Sequence, residues 1–424
     1  MNITYDLWPR ADADAVVEPG WRRVGRIAMT RPLRDYIVAR VLEMTSKWIF
    51  RFTTPLVVWQ LTHDERMLAA ALACLLLPGL VMELVGGIFA DRYDRQKIMT
   101  YSCLGSLVCN LWIAGLALMD ALTVPWLLSL TLLYGAINAL SHAASKTIIT
   151  SYVRKDQLAT AVSLNTVVFN AAGFVGPALS ALLIHAFGNA SAYIASAVLT
   201  TAFIILLQRI PAPRSEASLH HKGFISALRD GFAHVLAVRL LLYMFLLHIG
   251  SIALARPFVE FVPAIVHHAF DGGAKEAGVM LSAFGAGSIA GGLWLAGQAA
   301  TSVRLTAVAL GAMPLFAAAL VGIIVSPTLP IAAFFSVVAG FGMITRGGAI
   351  QSIIQLESDP SYRGRVVALH GVTFEIGCIT GALFIGQFAK LTTLATALLT
   401  CVALLLVLWL CVRRPLMAAA EARP

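Results

Sequence analysis

Charge is scarce in this chain. Only 12% of its 424 residues are Asp, Glu, Lys or Arg, about half the share a soluble domain carries. That deficit excludes an ordinary soluble enzyme or binding module. The chain also lacks the motifs that power or catalyse. There is no Gly-x-x-x-x-Gly-Lys-Ser/Thr loop, so ATP is not the expected energy source. There is no Ser-centred elbow, no His-Glu-x-x-His and no paired-aspartate motif, which argues against a membrane enzyme. The six cysteines (Cys74, Cys103, Cys109, Cys378, Cys401, Cys411) lie in or beside apolar runs. They show no metal-ligand spacing and read as small packing residues, so neither a metal nor a cofactor is expected. Met1 to Arg31 hold no apolar core of the kind a signal peptide needs.

What is present is apolar length. Hydrophobic residues make up 59% of the chain and the mean hydropathy is +0.81. A helix spans a bilayer with about 20 apolar residues. The runs do not alternate in polarity as barrel strands would. Twelve spans are expected near 35–61, 67–90, 98–119, 124–149, 159–186, 190–208, 238–265, 276–299, 304–326, 329–356, 364–389 and 391–412. This divides the chain into a cytoplasmic segment (1–34), a six-helix bundle (35–209), a linker with an amphipathic helix (210–237), a second bundle (238–412) and a cytoplasmic tail (413–424). The expected fold is all-α and integral to the membrane, with two pseudo-symmetric bundles.

The basic residues orient it. With the N-terminus cytoplasmic, 22 of 31 Lys and Arg fall on cytoplasmic segments, and only Arg66, Lys275 and Lys390 fall outside. The remaining six (Arg40, Lys47, Arg51, Lys146, Arg256, Arg346) lie within spans. The positive-inside rule therefore accounts for the pI near 9.4 without nucleic acid.

The halves show a weak repeat at an offset of 205. Gly87 falls on Gly292, Gly135 on Gly340, Gly176 on Gly381, Phe169 on Phe374 and Arg51 on Arg256. The charges inside the spans are unevenly placed. Spans 3, 6, 9 and 12 have none in their interiors, while 1, 4, 7 and 10 carry most of them. A charge at a helix centre costs about 2.5–3.5 kcal/mol on insertion scales. These residues are therefore expected to face a wet cavity, a partner or a substrate. Arg40, Glu43, Lys47 and Arg51, spaced 3, 4 and 4 apart, fall within an arc of roughly 80°. Glu43 can pair with Arg40 or Lys47 on that face; a purely structural ladder is the alternative. Asn138, His142 and Lys146 follow at spacings of four in span 4, Arg256 and Glu260 in span 7, and Arg346 in span 10. Glu83, His248, His370 and Glu375 complete the set.

The segment Gly87-Ile-Phe-Ala-Asp91-Arg92-Tyr93-Asp94-Arg95-Gln96-Lys97 resembles the loop between the second and third helices of major facilitator superfamily transporters. Asp94 stands where a second glycine is usual. In the other half Gly292 remains, but Ala296 replaces the acid. The resemblance implies that Gly87, Asp91, Arg92, Arg95 and Lys97 form a conformational latch, with Asp91 pairing with Arg95 or capping a helix end. Gly173, Gly176 and Pro177 are similar to the glycine–proline signature of exporters, with Ser180 and Ala181 in place of two glycines; the alternative is plain close packing. Arg154 to Asn165 and Arg363 to Leu369 resemble the subgroup that contains the enterobactin exporter.

The resemblance implies alternating access about a midplane site, a small-molecule substrate and a monomer in the bilayer. The expected function is proton-coupled export of a siderophore or similar anionic amphiphile across the inner membrane. Glu43 and Glu375, then Glu260 and Glu83, are the proton-coupling candidates. A broad drug exporter, an uptake permease and a non-transporting sensor are the alternatives.

Overall fold

The computed structural model describes residues 31–92, 94–148, 158–210, 224–298, 301–359 and 361–422. The first half contains six helices: α1 (Arg31–Thr62), α2 (Glu65–Arg92), α3 (Arg95–Leu118), α4 (Val124–Ile148), α5 (Leu158–Phe187) and α6 (Asn189–Arg209). A short amphipathic helix α7 (Phe224–Ala237) follows. The second half runs α8 (Arg239–Ala255), a 3₁₀ turn (Arg256–Phe261), α9 (Val262–Phe270), α10 (Ala274–Ala296), α11 (Ser302–Val325), α12 (Leu329–Glu357), α13 (Arg363–Leu391) and α14 (Leu394–Glu421). Among the described residues, ten helical stretches are long and apolar enough to cross a membrane. α1 and α2, with 32 and 28 residues, have spanning length but are not among them. In α1 the charge stripe is the physical reason.

Helix limits repeat at the offset of 205. α5 begins at 158 and α13 at 363; α4 begins at 124 and α12 at 329; α6 begins at 189 and α14 at 394. Packing repeats too. α1 packs on α5 and α6, as α8 packs on α13 and α14. The two halves meet chiefly where α2 lies on α13 and α5 on α10.

Span 7 is not one helix. Pro257 has no N–H to donate to the carbonyl of Ala253, and the backbone tightens into a 3₁₀ turn around it, from Arg256 to Phe261. α13 closes on that freed carbonyl. A Cβ on Gly381 would lie 1.9 Å from the Ala253 oxygen. The equivalent contact 205 residues earlier is Gly176, where a Cβ would lie 2.5 Å from the Trp48 Cβ. Glycine is required at both places because two helices touch backbone to backbone.

Span 12 also differs from expectation. α14 does not stop near 412 but continues through Pro415 to Glu421. Leucine, arginine and alanine there are good helix formers, and one proline removes only one backbone bond. α7 lies along the start of α13, where Arg365 pairs with Asp230 at 3.1 Å and His234 stacks on Tyr362.

Candidate functional site: a charged cavity between the halves

A cavity of about 590 Å³ opens between α1, α2, α4, α5 and α13. Arg40, Lys47, Arg51, Asn138, His370 and Glu375 supply its polar wall. Trp48, Phe50, Tyr134, Phe169 and Phe374 supply an aromatic one. Phe50 and Tyr134 stack with centroids 3.7 Å apart. The sequence pattern missed this aromatic wall, because one-letter periodicity does not separate aromatic core from aromatic lining.

The α1 stripe is a closed ladder. Arg40 Nη1 donates to Glu43 Oε2 at 2.5 Å, and Lys47 Nζ donates to Glu43 Oε1 at 2.7 Å. Arg40 Nε also donates to Asn165 Oδ1 on α5 at 3.3 Å. Glu43 is buried behind the two cations. An isolated carboxylate there would cost several kcal/mol, and both of its oxygens are accordingly engaged.

Arg51, one turn further on, leaves this ladder and crosses to the other half. Its Nη2 donates to Glu260 Oε1 at 2.8 Å. Arg256 Nη1 lies 3.6 Å from the same oxygen. Arg51 and Arg256 are the pair related by the 205-residue offset, so one carboxylate serves equivalent arginines of the two halves. Arg51 also faces the Trp48 ring at 5.7 Å. The sequence places Arg51 in the α1 stripe, but its partner on the 3₁₀ turn lies 209 positions away, beyond the reach of any local spacing.

Arg346 differs from all of these. It is only 3% exposed, and its Nε has no acceptor. It lies within electrostatic reach of His248, which stacks on His370 at 3.9 Å. The Nε2 atoms of both histidines are likewise buried without hydrogen-bond partners. Glu43, Arg256, Glu260 and Arg346 are therefore behind the cavity wall, whereas Arg40, Lys47, Arg51, Asn138 and Glu375 form it. Asn138 donates to Ser106 Oγ at 3.1 Å and to the Tyr134 carbonyl at 2.9 Å. Glu375 lies at the seam of α13 with α2, where a Cβ on Gly79 would be 2.9 Å from its Oε2.

At the end away from the start of α1 and the end of α14, contacts cross between the halves. Trp59 packs edge-on against His63 and against His267 and His268 of α9. His268 Nε2 lies 3.1 Å from Glu65 Oε1. Beside them, hydrogen bonds from the Arg66 side chain hold the Asp64 carboxyl below its usual range. Nearer the middle, Gly278 and Gly285 of α10 let α5 approach at Ala181 and Phe174. Gly173, Gly176 and Pro177 thus lie on a helix that contacts both α1 and α10.

The side chains of Glu83, Asp91, Arg92, Arg95, His142 and Lys146, and Gly87 with them, lie outside the described residues. In the loop itself Asp94 is the N-cap of α3, its side chain accepting from the backbone N–H groups of Gln96 and Lys97. The residue standing where a glycine is usual is therefore a helix cap. Lys97 is exposed.

The comparisons agree with this architecture. Residues 32–423 match a family described as transmembrane secretion effector. The chain is 25% identical to the enterobactin exporter EntS of Salmonella choleraesuis (strain SC-B67) over 277 residues, which are 64% of each protein. It thus spans 64% of that exporter's length. It is 26% identical over 404 residues to the uncharacterized MFS-type transporter YfiS of Bacillus subtilis (strain 168), covering 89% of this chain and 91% of that one. A bacterial homologue of the human lysosomal transporter Spinster, inward-facing and unoccupied, superimposes with a TM-score of 0.71 at 15% identity, over 92% of this chain and 98% of that one. A D-xylose–proton symporter gives 0.72 at 12% identity, over 91% and 96%. These last two likenesses concern the fold alone. The chain belongs to the transmembrane secretion effector family of the major facilitator superfamily.

Proposed function

We propose that this transporter exports an anionic amphiphilic small molecule of the siderophore type across the inner membrane, in exchange for protons. The observation that carries the reading is the cavity between the halves. Aromatic side chains and cations line it together, which is the complement of a ligand with both aromatic surface and negative charge. The repeat supports alternating access, in which two bundles rock about a site made by both. With the N-terminus in the cytoplasm, as the 22 cytoplasmic Lys and Arg favour, the Trp59–His268 contacts close the periplasmic side and the molecule faces inward. The likeness to enterobactin exporters supports the outward direction and the cargo class.

Glu375 is the proposed coupling group, since among the described acids it lines the cavity directly. Glu43 and Glu260 are each committed to two cations. The Gly87–Lys97 loop is the proposed latch on the cytoplasmic side. A broad drug exporter is the second reading, favoured by the aromatic wall alone. The test is deletion followed by mass spectrometry of cells and medium. Accumulation of one anionic siderophore inside the cells supports export. Loss of uptake of a supplied one reverses the direction. Retention of chemically diverse neutral compounds favours the drug reading.

A further inference from the structure

We propose that the groove between α11 and α14, on the membrane-facing side of the second half, is a binding site for an anionic phospholipid. The groove has a volume of about 410 Å³ and is lined almost wholly by apolar surface. Arg413 and Arg414 are among its lining residues, just past the apolar run Leu394–Val412 of α14, which puts them at the membrane surface. Its floor is made by Ala307, Leu310 and Gly311.

Three details show a preformed site. Pro314 of α11 cannot donate to the carbonyl of Leu310 four residues earlier. The indole N–H of Trp409 on α14 donates to that carbonyl instead, at 2.8 Å. This bond ties the two helices together and fixes the indole as one wall of the groove. Arg413 then lies over the Trp409 ring, 4.8 Å from its centroid, which holds the guanidinium beside the indole. Finally, a Cβ built on Gly311 would meet no atom within 4 Å, so the floor is open space rather than a packed seam.

An occupant must match an apolar trough with two cations at one end. An acyl chain below a phosphate headgroup does so, and arginines at the membrane surface attract anionic lipid. A second copy of the chain is the other candidate, because Ala307 and Gly311 form a small-residue pair at a spacing of four. Two such faces meeting would bring Arg413 and Arg414 of each copy together with no acid lining the groove to pair them, so the lipid is favoured. This site is independent of the cargo and of the direction of transport.

The test is native mass spectrometry of the purified full-length protein with phosphatidylglycerol and phosphatidylcholine at equal concentration. Phosphatidylglycerol is expected to be retained preferentially. Each basic residue at an anionic surface contributes about a fivefold effect, so Arg413→Gln with Arg414→Gln should weaken retention about 30-fold. Gly311→Leu keeps both charges and fills the trough, and it should also lower occupancy. Equal retention of the two lipids would overturn the proposal, as would unchanged phosphatidylglycerol binding in the Gly311→Leu protein. A dimer mass that Gly311→Leu abolishes would give the groove to a second copy instead.

Discussion

The shared carboxylate of Glu260 makes a prediction whose sign is unusual. Glu260→Gln removes the carboxylate that Arg51 and Arg256 share as their ion-pair partner. The Arg256 guanidinium stays largely buried and that of Arg51 half-buried on the cavity wall, one in each half, and both lose this partner. Breaking a buried pair in this way costs about 3–5 kcal/mol. At roughly 2 °C per kcal/mol for a chain of this size, the thermal midpoint should fall by about 6–10 °C. Arg51→Met is milder, because Glu260 keeps Arg256 at 3.6 Å. The double variant Arg51→Met/Glu260→Gln then leaves one orphaned arginine instead of two. It should be more stable than Glu260→Gln alone, so that a second lesion rescues the first. The measurement is a fluorescence melt of the four proteins in one detergent at neutral pH. A double variant less stable than Glu260→Gln would refute the argument. So would additive effects within about 0.5 kcal/mol, the range of sites that do not interact.

Other outcomes are equally concrete. Gly381→Val should abolish folded protein or nearly so, since its Cβ would meet a backbone oxygen at 1.9 Å that cannot swing aside; size-exclusion yield against Gly311→Leu, which meets nothing, reads this. Glu375→Gln should lose transport driven by a pH gradient while retaining cargo counterflow in vesicles; gradient-driven flux at the wild-type rate would remove Glu375 as the coupling group. Arg346→Met should raise the melting midpoint, because an unsatisfied buried donor costs about 1–3 kcal/mol, and should lower transport; a destabilised protein would mean the guanidinium has a partner. Asp64 and Asp359 have carboxyls held below their usual range by hydrogen bonds from Arg66 and Ser361 respectively. Their contribution is therefore fully present above the ordinary value near 4 and is lost as pH falls through the depressed folded values. Asp64→Asn should flatten the acid limb of stability.

Much of this architecture was legible before any coordinates. Hydropathy placed the helices, and the offset of 205 paired them, because each half must solve the same packing problem with the same glycines. The ladder on α1 was legible because spacings of 3 and 4 bring side chains to one face. Three things were not. The Glu260 bridge joins residues 209 positions apart, and no local period encodes which acid meets which base. The break in span 7 was signalled by Pro257 but not its form, since a proline shows where a hydrogen bond is lost and not how the next turn closes. Asp94 looked like a substitute for glycine in a turn, yet it caps α3. A cap and a turn draw on the same short polar side chains, so composition cannot separate them.

The balance of buried charge bears on the cargo more directly than any one residue. Around the cavity Arg40, Lys47, Arg51, Arg256 and Arg346 face only Glu43, Glu260 and Glu375 among the described side chains. Two ion-pair clusters each set two bases on one acid: Arg40 and Lys47 on Glu43, Arg51 and Arg256 on Glu260. Among the described residues no acid forms an ion pair with Arg346. Surplus cations held away from bulk water are costly unless an anion arrives. A transporter for neutral drugs would gain nothing by keeping them, because a neutral ligand leaves the deficit in place. For an anionic cargo the same surplus is binding energy held ready, and it is released only when the cargo enters. That asymmetry favours the anionic amphiphile over the neutral drug, although both would find an aromatic wall to lie against.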